Sequence, residues 1–233
     1  MIFFTVIIVT IISYFHQNQL PIYDINLAVK FILNKQKSND FSEISKALGY
    51  EPTDKLLIIH ADDVGLCKSV NTATFESFKN KSISSAAVML TTSEIDEAAR
   101  FSIDNPNFDM GIHLTVTSEW KNHKWGGVLK NDDIGSILNS NNHLYWNKRK
   151  FTKHGKLDEV RKELQAQIDL GISMGFNPSH IDSHEGALFF DPDIFRLYLD
   201  LAKENELLAF VPIQASVHFD RNFEKPKIGR AHV

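Results

Sequence analysis

Residues 56–65 read Leu-Leu-Ile-Ile-His-Ala-Asp-Asp-Val-Gly, and the fold turns on how that run is interpreted. Four consecutive apolar side chains that end in a turn signal are expected of a strand buried on both faces of a parallel sheet. The two acids that follow are poorly explained by packing, because burying unpaired carboxylates is costly. One reading makes Asp62-Asp63 a helix N-cap with an acidic neighbour at the positive end of the next helix. The other places both at the C-terminal edge of a parallel sheet, where the sites of α/β folds assemble.

Working outward, strand-like runs alternate with amphipathic patterns. After the expected strand 56–60, Val70, Ala73 and Phe78 predict a helix over 69–80. Residues 86–90 (AAVML) predict a second strand. Ser93-Glu94-Ile95-Asp96 has the form of a capping box opening a helix that stops before Asn105-Pro106. Residues 108–115 predict a third strand, and the unpatterned segment from Val116 to Gly155 reads as a long loop insertion. Leu157, Val160, Leu164, Ile168 and Ile172 follow helical spacing, closed by Gly175. Residues 179–183 (SHIDS) fall where the next strand belongs. Asp191-Pro192 is a cap-plus-first-turn start for a helix ending near Glu206, and 207–211 (LLAFV) predict a further strand. Strands separated by single helices imply a parallel sheet or barrel.

Composition narrows the function. Of 233 residues, 25 are Lys or Arg and 29 are Asp or Glu, a formal charge of −4 that argues against nucleic-acid binding through a basic field. The single cysteine, Cys67, excludes an internal disulfide framework and a Cys-rich zinc module. Ten histidines leave imidazole as the notable chemistry.

Three polar clusters fall at predicted strand ends: Asp62-Asp63, then His113, then His180-x-Asp182-x-His184. A lone histidine in an apolar strand such as 108–115 is more often a satisfied core residue than a ligand. In an extended segment His180, Asp182 and His184 share one face, as a metal site with its own second shell would require; a hydrogen-bonded sheet edge is the plainer explanation. Together the clusters offer an Asp–His–His set with a spare carboxylate. Such ligands with open positions suit Zn²⁺, or a harder ion such as Mg²⁺, Mn²⁺ or Co²⁺. A spare carboxylate beside the ion can take a proton from water, which describes a metallohydrolase.

The stretches LLIIHADDVGLCKSVN (56–71), GIHLT (111–115) and PSHIDSHEG (178–186), in that order, resemble the YdjC-like (ChbG/HpnK) carbohydrate deacetylases. The resemblance runs from about Lys55 to about Pro212. It implies an α/β fold, an incomplete (β/α) barrel with parallel strands, C-terminally truncated in this chain. It also implies removal of an N-acetyl group from an amino sugar or oligosaccharide with a divalent metal ion, Mg²⁺ or Zn²⁺. Carried over by position, Asp63, His113 and His184 hold the metal and Asp62 is the general base. His180 is a weaker candidate as proton donor or substrate contact. Trp120 and Trp125, with Tyr145 and Trp146, either offer a sugar ring an apolar face or simply cover the barrel mouth. The sequence departs from many relatives after Asp-Ser-His, where Glu185-Gly186-Ala187-Leu188 replaces a further histidine-rich stretch. The rival functions are another metal-dependent barrel hydrolase or isomerase, and a non-catalytic sugar-binding protein.

The expected organisation is a signal peptide or anchor over 1–20, a helical prelude over 21–54, the deacetylase domain over 55–227 and a sequence artefact over 228–233. The uncharged run 2–15 is short for a membrane span, and its length fits a secretory h-region better. Secretion, periplasmic location or membrane anchoring through 2–15 is expected, with a cytoplasmic location the alternative. Homodimerisation stands as a further expectation.

Overall fold

The computed structural model describes residues 42–211. The expected N-terminal leader, most of the prelude and the terminal artefact lie outside these residues. The chain divides into two compact units, the second beginning at Leu57. Of the first unit, the described residues contain one short helix, α1 (Ser42–Ala47).

The second unit alternates strands and helices: β1 (His60–Val64), α2 (Lys68–Lys79), β2 (Ser85–Val88), α3 (Ile95–Asp104) and β3 (Asp109–Leu114). A long insertion follows with one 3₁₀ turn (Gly135–Ile137) and α4 (Lys148–His154). Then come α5 (Leu157–Ser173), β4 (His180–Ser183), a 3₁₀ segment (His184–Phe189), α6 (Pro192–Glu204) and β5 (Leu208–Ala209). The five strands lie in the order β1-β2-β3-β4-β5, all parallel. Among the described residues β1 and β5 are the two edges, so this is an open sheet and not a closed barrel.

The outer face is the core. Val64, Ala86, Val88, Met110, Ile112, Leu114 and Ile181 are buried together with Phe78 of α2, Ala98 of α3, Leu164 and Ile168 of α5, and Leu201 of α6. Helix α5 comes close to β3 at Gly171, where a β-carbon would stand 2.4 Å from Ile112 Cδ1. Gly175, at φ +93°, closes α5 as its spacing predicts. Asp191 caps α6 by accepting from Asp193 N and Ile194 N, with Pro192 in the first turn. Tyr198 on α6 donates from its hydroxyl to the carbonyls of Ile181 and Phe210, which fastens β4 to the chain beyond β5.

Three local expectations are corrected. The first strand is not the apolar run: β1 begins at His60 and runs through the acids, while Leu57 and Ile58 are 78% and 74% exposed. The sheet places functional side chains on its inner face, so the sequence of β1 is polar where a doubly buried strand would be apolar. The capping box at Ser93 does not form; Glu94 is the cap residue and its side chain makes no cap bond. The insertion is also more ordered than its sequence pattern suggests. Glu163 of α5, fully buried, accepts from Val128 N, Leu129 N and Gln167 Nε2, while Gln167 pairs with both backbone groups of Thr115. These bonds tie the insertion to the end of β3.

Candidate metal centre

Alternate residues of a strand share a face, and the inner face of this sheet lines a cavity of about 750 Å³. His60 and Asp62 of β1, His113 of β3, and His180 and Asp182 of β4 open onto it, and Ile58, Leu208 and Phe210 form apolar walls.

The turn after β1 aims the acids. Asp63 has φ +64°, a left-handed conformation that costs an ordinary residue about 1 kcal/mol or more and that Asp tolerates better than most. Gly65 follows at φ +90°. The buried Asn71 side chain accepts from Gly65 N at 2.7 Å and donates to Glu94 O and Glu97 Oε2, so α2 and α3 together hold the turn. The left-handed turn points Asp63 at His113 and His184, while Asp62 remains 60% exposed at the cavity. Beyond β4, Glu185 at φ +51° and Gly186 at φ +63° reverse the chain directly after His184.

Three atoms converge. Asp63 Oδ1 lies 3.3 Å from His113 Nε2 and 3.1 Å from His184 Nδ1, and the two ring nitrogens are 3.2 Å apart. That near-equilateral triangle has the edge expected of three ligands sharing one ion at about 2.0–2.1 Å. The other nitrogen of each ring faces a carboxylate: His113 Nδ1 lies 2.5 Å from Asp182 Oδ1, and His184 Nε2 lies 3.0 Å from Glu119 Oε2. With those nitrogens donating, the triangle consists of three acceptors and no donor. Asp63 Oδ1 is correspondingly buried without a hydrogen-bond partner. A buried set of that kind requires a positive charge at its centre, so the group Asp63, His113 and His184 fits a metal ion.

Without a metal ion, protons supply that charge. Burial alone would disfavour a charged His113, but its hydrogen bonds to Asp182 and Asp63 outweigh that and carry its pKa up to about 10. His184 is also raised: burial opposes its charge, and Asp63 and Glu119 overcome it. Burial would raise Asp63, yet the two imidazoles drive it far below the usual carboxylate range. Asp182 is held at about 2, its burial offset by His113 and His60. A metal ion must displace the proton that the raised pKa of His113 keeps on its ring at neutral pH. Apparent affinity for a divalent ion is therefore expected to rise about tenfold per pH unit between pH 6 and 8 if one proton leaves. Calorimetric titrations at several pH values check this; an affinity flat with pH contradicts it.

The other sequence candidates fall as follows. His180 stands apart from the triangle: its ring lies across Gly111, where a β-carbon would be 2.3 Å from His180 Nε2, and it stacks edge-on near His60. Trp125 is buried, donates from Nε1 to Thr117 O and sets its ring 6.1 Å from that of His184, so it walls the site and offers no free face. Trp120 is 45% exposed, meets His123 edge-on and is not among the residues that line the cavity. Glu119 is the residue that sequence reasoning missed. It sits in an unpatterned stretch of the insertion, and no spacing links it to His184.

A chitooligosaccharide deacetylase of Yersinia enterocolitica is 33% identical over 158 residues, covering 66% of this chain and 58% of that protein. A carbohydrate deacetylase of Geobacillus stearothermophilus is 31% identical, covering 64% and 57%. This chain thus spans a little under three fifths of the length of those relatives. A crystal structure of a putative cellobiose-phosphate cleavage protein from Enterococcus faecalis superposes with a TM-score of 0.63 at 26% identity, covering 71% of this chain and 63% of that one. The profile of the YdjC-like protein family matches residues 56–231, a span that contains the sheet, the triangle and both carboxylates behind it, and the chain belongs to that family.

Proposed function

We propose that this protein is a metal-dependent hydrolase that removes an N-acetyl group from an amino sugar or oligosaccharide. The observation that supports this most directly is the triangle of Asp63, His113 and His184 with an exposed carboxylate, Asp62, next in sequence to Asp63 and lining the same cavity as His113. The names of the relatives, chitooligosaccharide deacetylase and carbohydrate deacetylase, indicate the substrate class. Two imidazoles and one carboxylate favour Zn²⁺ over Mg²⁺, which prefers oxygen donors and keeps its waters.

A divalent ion held by Asp63, His113 and His184 would supply Lewis acidity toward the amide carbonyl and the attacking water. Asp62 takes a proton from the attacking water as its oxygen bonds to the carbonyl carbon. The C–N bond then breaks as the departing nitrogen takes up a proton equivalent to the one Asp62 removed from the water, giving acetic acid, which ionises to acetate, and a free amine. Asp182 and Glu119 hold the two imidazoles in the tautomer that leaves His113 Nε2 and His184 Nδ1 bare. Trp120, 45% exposed, is an aromatic residue of the insertion with surface available to a sugar ring.

Acetate release from N,N′-diacetylchitobiose by metal-loaded protein, abolished by a chelator and restored by Zn²⁺ or Mg²⁺, is the expected result. Phosphate release from a sugar phosphate with no acetate release would instead support the rival metallohydrolase. Metal-independent sugar binding without turnover would support a binding protein.

A further inference from the structure

A second set of ligand-type side chains lies beside the first: His60, Asp62 and Asp182. His60 Nε2 is 3.1 Å from Asp182 Oδ2 and 3.4 Å from Asp62 Oδ1, and its Nδ1 is 3.0 Å from the hydroxyl of Ser85, its register partner on β2. By spacing alone this set qualifies for an ion as well as the first does.

Counting protons separates the two. In the first triangle, with each ring donating outward to Asp182 or Glu119, three bare acceptors face one another unless an added proton or a metal ion sits between them. In the second, the hydroxyl of Ser85 can donate to His60 Nδ1. The ring proton then sits on Nε2 and goes to Asp182 Oδ2, while Asp62 Oδ1, 3.4 Å from the same nitrogen, is open to water, so no buried acceptor is left bare and no cation is required. Asp182 joins the two sets. Its Oδ1 takes the His113 proton and its Oδ2 takes the His60 proton. It is 5% exposed, so both bonds form out of water, where hydrogen bonds to a charged acceptor are strong.

We propose that His60, Asp62 and Asp182 form a proton-held bracket and not a second metal site, with His60 the positioning residue that steadies Asp62 for proton abstraction and completes the anchoring of His113. The part concerning Asp62 rests on the deacetylase reading. The ring nitrogen that bonds Asp182 also lies 3.4 Å from Asp62 Oδ1, a polar contact that draws the base toward the scaffold of the metal ligand although most of its side chain is exposed. A group one bond removed from the reacting atoms then affects turnover more than binding.

The test compares the metal-loaded wild type with His60→Leu, which removes the donor, and His60→Gln, which keeps an N–H at similar reach. One metal ion per chain is expected in all three, with affinity in His60→Leu within about tenfold of wild type, since losing a group bonded directly to a metal ligand costs about 10–100-fold and His60 reaches His113 only through Asp182. The kcat for acetate release should fall about 10–100-fold in His60→Leu with KM unchanged, and His60→Gln should recover most of it. Nitrogen-15 spectra of the histidine rings in the loaded wild type should show His60 with a protonated Nε2 and a bare Nδ1. Two ions per chain, or a His60 ring protonated on Nδ1 instead, overturns the bracket. Full turnover in His60→Leu, or no recovery in His60→Gln, overturns the positioning role. A wild type that releases no acetate refutes the deacetylase reading, while stoichiometry and tautomer still decide the bracket.

Discussion

Asp63→Asn and His184→Ala are each expected to abolish measurable binding of a divalent ion while leaving the circular dichroism of the domain unchanged. Each removes one corner of a triangle in which no other group substitutes. Structural zinc sites with four protein ligands are worth about 10–16 kcal/mol, so one ligand contributes roughly 3 kcal/mol, or about a hundredfold in affinity, and more where only three are present. Asn suits position 63 because it tolerates φ +64° better than Ala and so isolates ligation from backbone strain. Both substitutions also remove a partner of a group whose pKa the site shifts. His113 loses the carboxylate oxygen at 3.3 Å, and Glu119 loses the imidazole that holds its pKa down against the effect of burial. Calorimetric titration against the wild type reads the outcome directly. Wild-type binding in either well-folded variant would remove the assignment of the triangle.

The helices were legible because helical packing leaves a periodic mark. Leu157, Val160, Leu164, Ile168 and Ile172 predict α5 to within a residue, and Asp191-Pro192 predicts the start of α6. The strands were harder for a reason tied to function. A parallel strand buried on both faces is apolar throughout, but here the inner face of β1 carries His60 and Asp62, so the apolar signal of Leu56–Ile59 fell one strand-length early. The metal triangle was recoverable because its members sit at strand ends in recognisable local strings. The carboxylates behind it were not equally so. Asp182 lies within His-x-Asp-x-His, where an acid on the same face as two histidines suggests an anchor, although it serves His113 and His60 and neither neighbour in that string. Glu119 meets His184 across 65 residues through a loop whose course depends on Glu163 and Gln167, and sequence spacing carries no trace of such a meeting.

Asp62→Asn is expected to give the opposite profile to Asp63→Asn, although the two substitutions are chemically identical and adjacent. Asp62 is outside the triangle and 60% exposed, so metal affinity should stay within about threefold of wild type, as surface changes away from a ligand set cost little. The Asn side chain has nearly the same shape and still offers an oxygen to His60 Nε2, so the bracket keeps its geometry. It loses only basicity, and loss of a positioned general base typically costs about 10²–10⁴ in rate. The expected result is therefore one bound metal ion, an unchanged KM for N,N′-diacetylchitobiose and a kcat for acetate release lower by that factor. The pair of variants separates two explanations that a single loss of activity would leave merged. If Asp62→Asn loses the metal together with activity, Asp62 is a ligand and the second acid set belongs to the metal centre. If it keeps both metal and wild-type turnover, proton abstraction is done elsewhere at the cavity. Only retained metal with lost turnover divides the labour between neighbouring acids, one turned inward by its left-handed backbone to bind and the other left at the mouth to take the proton.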